Sequence, residues 1–122
     1  MQRRDFEQLV VEALEALPQR FRRHVQNIAV VVEEAPSREL LKSMGLWPEG
    51  TLLGLYEGVP LPERGYGYGN ILPDRITIFQ RPIETMCCTP HEIRDVVQDT
   101  VIHELGHYFG FDDEQLDDLM DE

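Results

Sequence analysis

The chain has 122 residues, 42% of them apolar and 28% charged, proportions that fit one globular domain over residues 1–122 and exclude collagenous, disordered and multi-domain classes. Its 23 acidic against 11 basic side chains leave a net charge of -12, which repels phosphate backbones and argues against a nucleic-acid partner. No apolar run approaches the roughly 20 residues of a membrane span, so no membrane partner is expected.

From Phe6 the apolar residues Leu9, Val10, Ala13, Leu14 and Leu17 recur at helical steps, predicting an amphipathic helix that Pro18 helps to close. Acids interrupt this stretch and no small-residue cleavage site follows it, so a cytoplasmic protein is expected rather than an exported one. The basic excess at Arg20, Arg22, Arg23 and His24 reads as a solvated helix end or turn. Ile28 to Glu33 is β-branched and followed by Pro36, the pattern of a buried strand. Ser37 is placed to cap a short helix through Lys42, with Gly45 stopping it. "TLLGLYEG" and "DRITIFQ" read as two further strands, the latter with Ile76, Ile78 and Gln80 on one face and Arg75, Thr77 and Phe79 on the other. Between them, "VPLPERGYGYGNILP" carries too much glycine and proline for regular structure, and its length suits either a slack connection or the rim of a binding site.

Cys87 and Cys88 are adjacent, so a bridge between them would strain the peptide that joins them. They read as buried or half-buried thiols between a strand and a helix, in a reducing compartment. A Cys-His metal pair with His91 is the weaker reading. Thr89, Pro90 and Glu92 form the best helix start in the chain, combining a cap, a proline at the first helical position and a capping box. Ile93, Val97, Val101 and Leu105 then repeat every fourth residue and should face the core, until Gly110 lets the chain turn out. "EQLDDLM" suits a short last helix with Leu116, Leu119 and Met120 inward.

The chemistry lies in "VIHELGHYFGFDD". On a helix His103 and His107 lie one turn apart and can point two imidazoles at one ion, while Glu104 is rotated about 100° from His103, where its carboxylate can reach a water on that ion. This is the H-E-x-x-H logic of two nitrogen ligands for Zn²⁺ and a general base. Catalytic zinc usually takes three protein ligands, and the turn at Gly110 makes Asp113 the candidate third, with Asp112 the alternative. Neither His24 nor His91 belongs to the motif, and both read as ordinary histidines.

At these residues the chain resembles the zincins, metallopeptidases built on an H-E-x-x-H helix. More closely it resembles a group of small bacterial zincin-like metallopeptidases of about this length, and the likeness extends through "LLGLYEGVPLPER", "ILPDRITIFQRPI" and "VIHELGHYFGFDD". The H-E-x-x-H-x-x-G-x-x-D form is similar to that of snapalysin-type secreted proteases, and metzincins have histidine where Asp113 stands. The resemblance implies His103, His107 and Asp113 as Zn²⁺ ligands, Glu104 as base, and a peptide or protein substrate. Relative to the larger families the C-terminal subdomain and the methionine turn are expected to be lacking, since Met120 falls in the predicted last helix. A second likeness, in spacing, is to small bacterial metalloendoribonucleases with H-G-x-L-H-x-x-G-Y-D-H; Glu104, Asp113 and the acidic charge set this chain apart from them.

The expectation is therefore an α+β minimal zincin-like fold, a small mixed twisted sheet packed against an N-terminal helix and the metal-bearing helix. The expected function is zinc-dependent peptide hydrolysis. Its rivals are a metal-bound scaffold or interaction module without turnover, and a metal-dependent endoribonuclease. Tyr66 or Tyr68 of the long loop is a candidate oxyanion donor, and "RITIFQ", if it forms the sheet edge beside the metal, a candidate strand for pairing with an extended peptide.

Overall fold

The computed structural model describes residues 1–58 and 74–109. The expectations for Tyr66, Tyr68, Gly110, Asp112, Asp113 and the final helix lie outside the described residues, as does most of the long loop. Along the described chain run helix α1 (Arg3–Glu15), helix α2 (Gln19–Val25), strand β1 (Ala29–Glu33), helix α3 (Arg38–Ser43), strand β2 (Gly54–Glu57), strand β3 (Arg75–Phe79), helix α4 (Gln80–Met86) and helix α5 (Pro90–Tyr108). This is the mixed α+β arrangement of a minimal zincin-like fold. No described helix is long and apolar enough to cross a membrane.

The sheet has the order β1-β3-β2, with β1 parallel and β2 antiparallel to β3. Ile76, Thr77, Ile78 and Phe79 of β3 are all buried, because the central strand is covered on both faces and flanked on both sides. This corrects two expectations. β3 is not a sheet edge, so it has no free side on which to pair with a peptide; among the described strands it is β2 that lies beside α5. Nor is β1 fully buried: Ala29 and Glu33 are exposed and Val30, Val31 and Val32 half-buried, since among the described strands it has one neighbour, and it is Val30 and Val32 that pack on the core.

Local chemistry explains the helices. The Leu40 N–H donates to Ser37 Oγ at 3.1 Å, capping α3, and Gly45 takes a left-handed φ of 73° just past its end. The Glu92 N–H donates to Thr89 Oγ1 at 3.1 Å, and Pro90 opens α5. Pro82 does not break the chain, because α4 begins at Gln80 and an N–H in the first turn needs no intrahelical partner. Cys87 and Cys88 consequently join two helices rather than a strand and a helix; Cys87 is half-buried and Cys88 exposed.

The core is one cluster. Phe6, Leu9, Val10 and Ala13 of α1 meet Ile93, Val97, Val101 and Leu105 of α5, with Ile76 and Ile78 of β3 and Ile83 of α4 closing the cluster. Each fully buried aliphatic side chain contributes about 1.5–3 kcal/mol. Two side-chain contacts tie α1 to α5 at its flank: Gln98 Nε2 donates to the Ala13 carbonyl at 3.0 Å, and Arg94 meets Glu12 at 3.1 Å. The four-residue apolar repeat therefore fixes the rotation of α5, and with it the direction of every other side chain on that helix.

Candidate metal centre

With Val97, Val101 and Leu105 turned inward, His103 and His107 fall on a half-buried flank of α5, and Thr100 and Glu104 fall on the side that faces β2. The two imidazole rings lie with centroids 5.0 Å apart, inclined at 72°. Ligand-capable atoms of His103, Glu104 and His107 all lie within 4.8 Å of one another, the one such cluster among the described residues. Two neutral imidazole nitrogens and a carboxylate oxygen form a donor set that suits zinc.

Glu104 is only 6% exposed, so its carboxylate needs partners. The Tyr56 N–H of β2 donates to Oε1 at 2.7 Å, and His107 Nδ1 lies 3.3 Å from the same oxygen. A proton on His107 Nδ1 would complete that contact and leave the ring's lone pair on Nε2.

A close approach of strand to helix makes this possible. The Phe79 N–H donates to the Leu53 carbonyl at 2.9 Å and Leu55 pairs with Thr77, so residues 53 and 55 turn their backbone groups toward β3 while 54 and 56 turn theirs toward α5. At Gly54, a methyl group would come 2.5 Å from Thr100 Cγ2, 3.1 Å from the Thr77 carbonyl oxygen and 3.7 Å from Glu104 Cγ. Glycine alone lets α5 lie this near the strand. Thr100 is held in place by its own bond, Oγ1 donating to the Val96 carbonyl at 2.7 Å.

The site opens on a cleft of about 370 Å³ between residues 51–54 on one side and Asp99, Thr100, His103 and Glu104 on the other. A larger cavity, about 440 Å³, lies elsewhere between the start of α1 and α4. Its charged groups have partners within its lining: Arg81 with Glu34, the Met1 amino group with Glu84 at 3.6 Å, and Arg3 with the Gln80 side-chain oxygen at 2.9 Å. It contains no ligand cluster, so the chemistry belongs to the smaller cleft.

Of the residues that the sequence singled out, the structure brings His103, Glu104 and His107 together. His24 is elsewhere, edge-on to Phe109 at 4.7 Å, and His91 faces Asp95 at 3.4 Å on the exposed first turns of α5. Burial pushes the Cys87 thiol above its ordinary pKa, with Glu92, Cys88 and Asp95 adding to the effect, so this thiol is not an activated one. Sequence reasoning missed Gly54, Tyr56 and Thr100. A glycine inside the apolar strand "TLLGLYEG" was the available signal, because it marks a place where another element comes close.

Residues 25–122 match the family described as zincin-like metallopeptidase. In solved structures the fold is similar to that of a conserved hypothetical protein from Thermus thermophilus, with 22% identity, a TM-score of 0.57, and coverage of 89% of this chain and 94% of that one. The comparison with curated proteins gives no match.

Proposed function

The chain belongs to the zincin-like metallopeptidase family, and from that premise we propose that it is a zinc-dependent peptidase in which His103, His107 and Asp113 hold the metal and Glu104 is the general base. The observation that carries this reading is the buried Glu104 carboxylate, which shares a 4.8 Å cluster with two imidazoles and faces a cleft. The Tyr56 N–H satisfies one oxygen of this buried carboxylate and holds the group beside the two imidazoles at the wall of the cleft, the position a general base requires.

Zinc, when bound, supplies Lewis acidity that brings the pKa of water toward about 7 and polarises a carbonyl. The residues of the chain do the rest. Glu104 Oε1 is committed to the Tyr56 N–H and to His107, which fixes the carboxylate plane and leaves Oε2 to take a proton from water as its oxygen adds to the carbonyl carbon. The same proton passes to the amine nitrogen as the C–N bond breaks. The net charge of -12 supports a protein partner over a nucleic acid. Two free thiols fit a cytoplasmic setting.

The test is Glu104→Gln, whose amide oxygen can still accept from Tyr56 but cannot take the proton. Zinc content should stay at the wild-type level, and cleavage of a peptide library should fall by about 10²–10⁴-fold, the usual weight of a general base. Wild-type-like cleavage, with contaminating protease excluded by a His103→Ala control, would falsify the base assignment. A scaffold without turnover predicts no cleavage by either protein.

A further inference from the structure

We propose that the cleft beside the metal centre is a subsite for a lysine or arginine side chain next to the scissile bond, with Asp99 as the residue that selects it. The proposal rests on the peptidase reading above and adds the class of substrate.

Asp99 lies one helical turn before His103, on the same flank of α5, and lines the cleft. It is exposed, and no hydrogen bond or ion pair links it to any other described residue. The nearby charges are already used: Asp95 faces His91 and Arg94 meets Glu12. No lysine or arginine lines the cleft, so nothing in its described wall neutralises the Asp99 carboxylate. Across from it, Leu52 and Leu53 are half-buried and offer an apolar surface that ends at Thr51. An apolar wall leading to an unpaired carboxylate is complementary to a side chain with an aliphatic stem and a cationic head, which is the description of lysine and arginine. A purely aliphatic side chain would use the wall and ignore the charge. An acidic one would be repelled twice, by Asp99 and by the net charge of -12.

The experiment uses the whole 122-residue chain, supplied with zinc and carrying Glu104→Gln so that no peptide is consumed. Acetylated pentapeptide amides that differ only in a central lysine, norleucine or glutamate are titrated against the ¹⁵N-labelled protein. The lysine peptide should bind about three- to fivefold more tightly than the norleucine peptide, as an exposed ion pair allows, with shifts at the Gly54 and Thr100 amides. Asp99→Asn in the same background should bring the two peptides together, Asp99→Lys should favour glutamate, and the preference should shrink at high salt. Equal binding of lysine and norleucine, a preference that survives Asp99→Asn, or no binding at these amides overturns the subsite. A zinc-loaded wild-type digest separates this from the underlying reading. Cleavage with no basic preference beside the cut bond sinks the subsite alone, whereas an intact, Asp99-dependent lysine preference without any cleavage sinks the peptidase reading alone.

Discussion

Gly54→Ala puts the geometry of the site under direct test. The added methyl would come 2.5 Å from Thr100 Cγ2, closer than carbon atoms approach, and 3.1 Å from the Thr77 carbonyl oxygen. Neither neighbour gives way easily. Thr100 is 7% exposed and holds its rotamer through the 2.7 Å bond to Val96, and Thr77 lies in the central strand. Overpacking of this kind costs about 1–3 kcal/mol, partly offset by the roughly 0.4–1 kcal/mol that alanine gains over glycine through the unfolded chain. The net expectation is a loss of about 1–2 kcal/mol, a fall in Tm of several degrees for a domain of this size. Thr100→Ser removes the methyl in the way and keeps the hydroxyl for Val96, so it should recover most of the loss when combined with Gly54→Ala. Thermal or urea unfolding of the two single variants and the double variant measures this as a coupling energy of about 1 kcal/mol. If Gly54→Ala is neutral or stabilising, or if Thr100→Ser rescues nothing, α5 and β2 do not approach as described, and the hydrogen bond from Tyr56 to Glu104 loses its structural basis.

The metal ligands give a second expectation. His103→Ala and His107→Ala should each abolish tight zinc binding in equilibrium dialysis, and Asp113→Ala should weaken it by more than the ~10–100-fold typical of losing an outer partner, with Asp112→Ala near wild type; reversal of the two aspartates moves the third ligand by one residue. A third concerns the thiols. Burial raises the Cys87 pKa, so its thiolate fraction stays low as pH rises through the ordinary thiol range, and peptide mapping after brief iodoacetamide treatment near pH 8 should find Cys88 modified first; preferential labelling of Cys87 contradicts its placement on the core.

What the sequence made legible was local. Thr89, Pro90 and Glu92 start α5, and Ile93, Val97, Val101 and Leu105 orient it, all within a few residues of one another, so caps and four-residue repeats suffice to place His103, Glu104 and His107 on a helix. What the sequence hid was pairing. Val30, Val31 and Val32 look like a buried strand whichever neighbours they have, and only the order β1-β3-β2 of the described strands puts them on the outside of β3. "RITIFQ" alternates as a two-faced strand would, yet its position between two others buries both faces. α4 escaped notice because proline usually marks a break, and its tolerance in a first turn depends on where the helix begins. The partner that holds Glu104, the Tyr56 N–H, is 48 residues away and is a backbone group, so no side-chain motif can announce it.

The site thus depends on two registers of different origin. The rotation of α5 is set by its own apolar repeat, but the group that fixes Glu104 is set by how β2 pairs with β3. Gly54 opposite Ile78 and Tyr56 opposite Ile76 are the positions whose backbone turns toward α5. A slip of one residue in that pairing would exchange the inward and outward sets. Leu53 or Leu55 would then stand where only glycine fits against Thr100, and the N–H now given to Glu104 would turn toward β3. The clash at Thr100 therefore does more than exclude alanine at position 54. It penalises the wrong strand register by the same overpacking cost, so the glycine that admits the helix also selects the pairing that holds the Glu104 carboxylate.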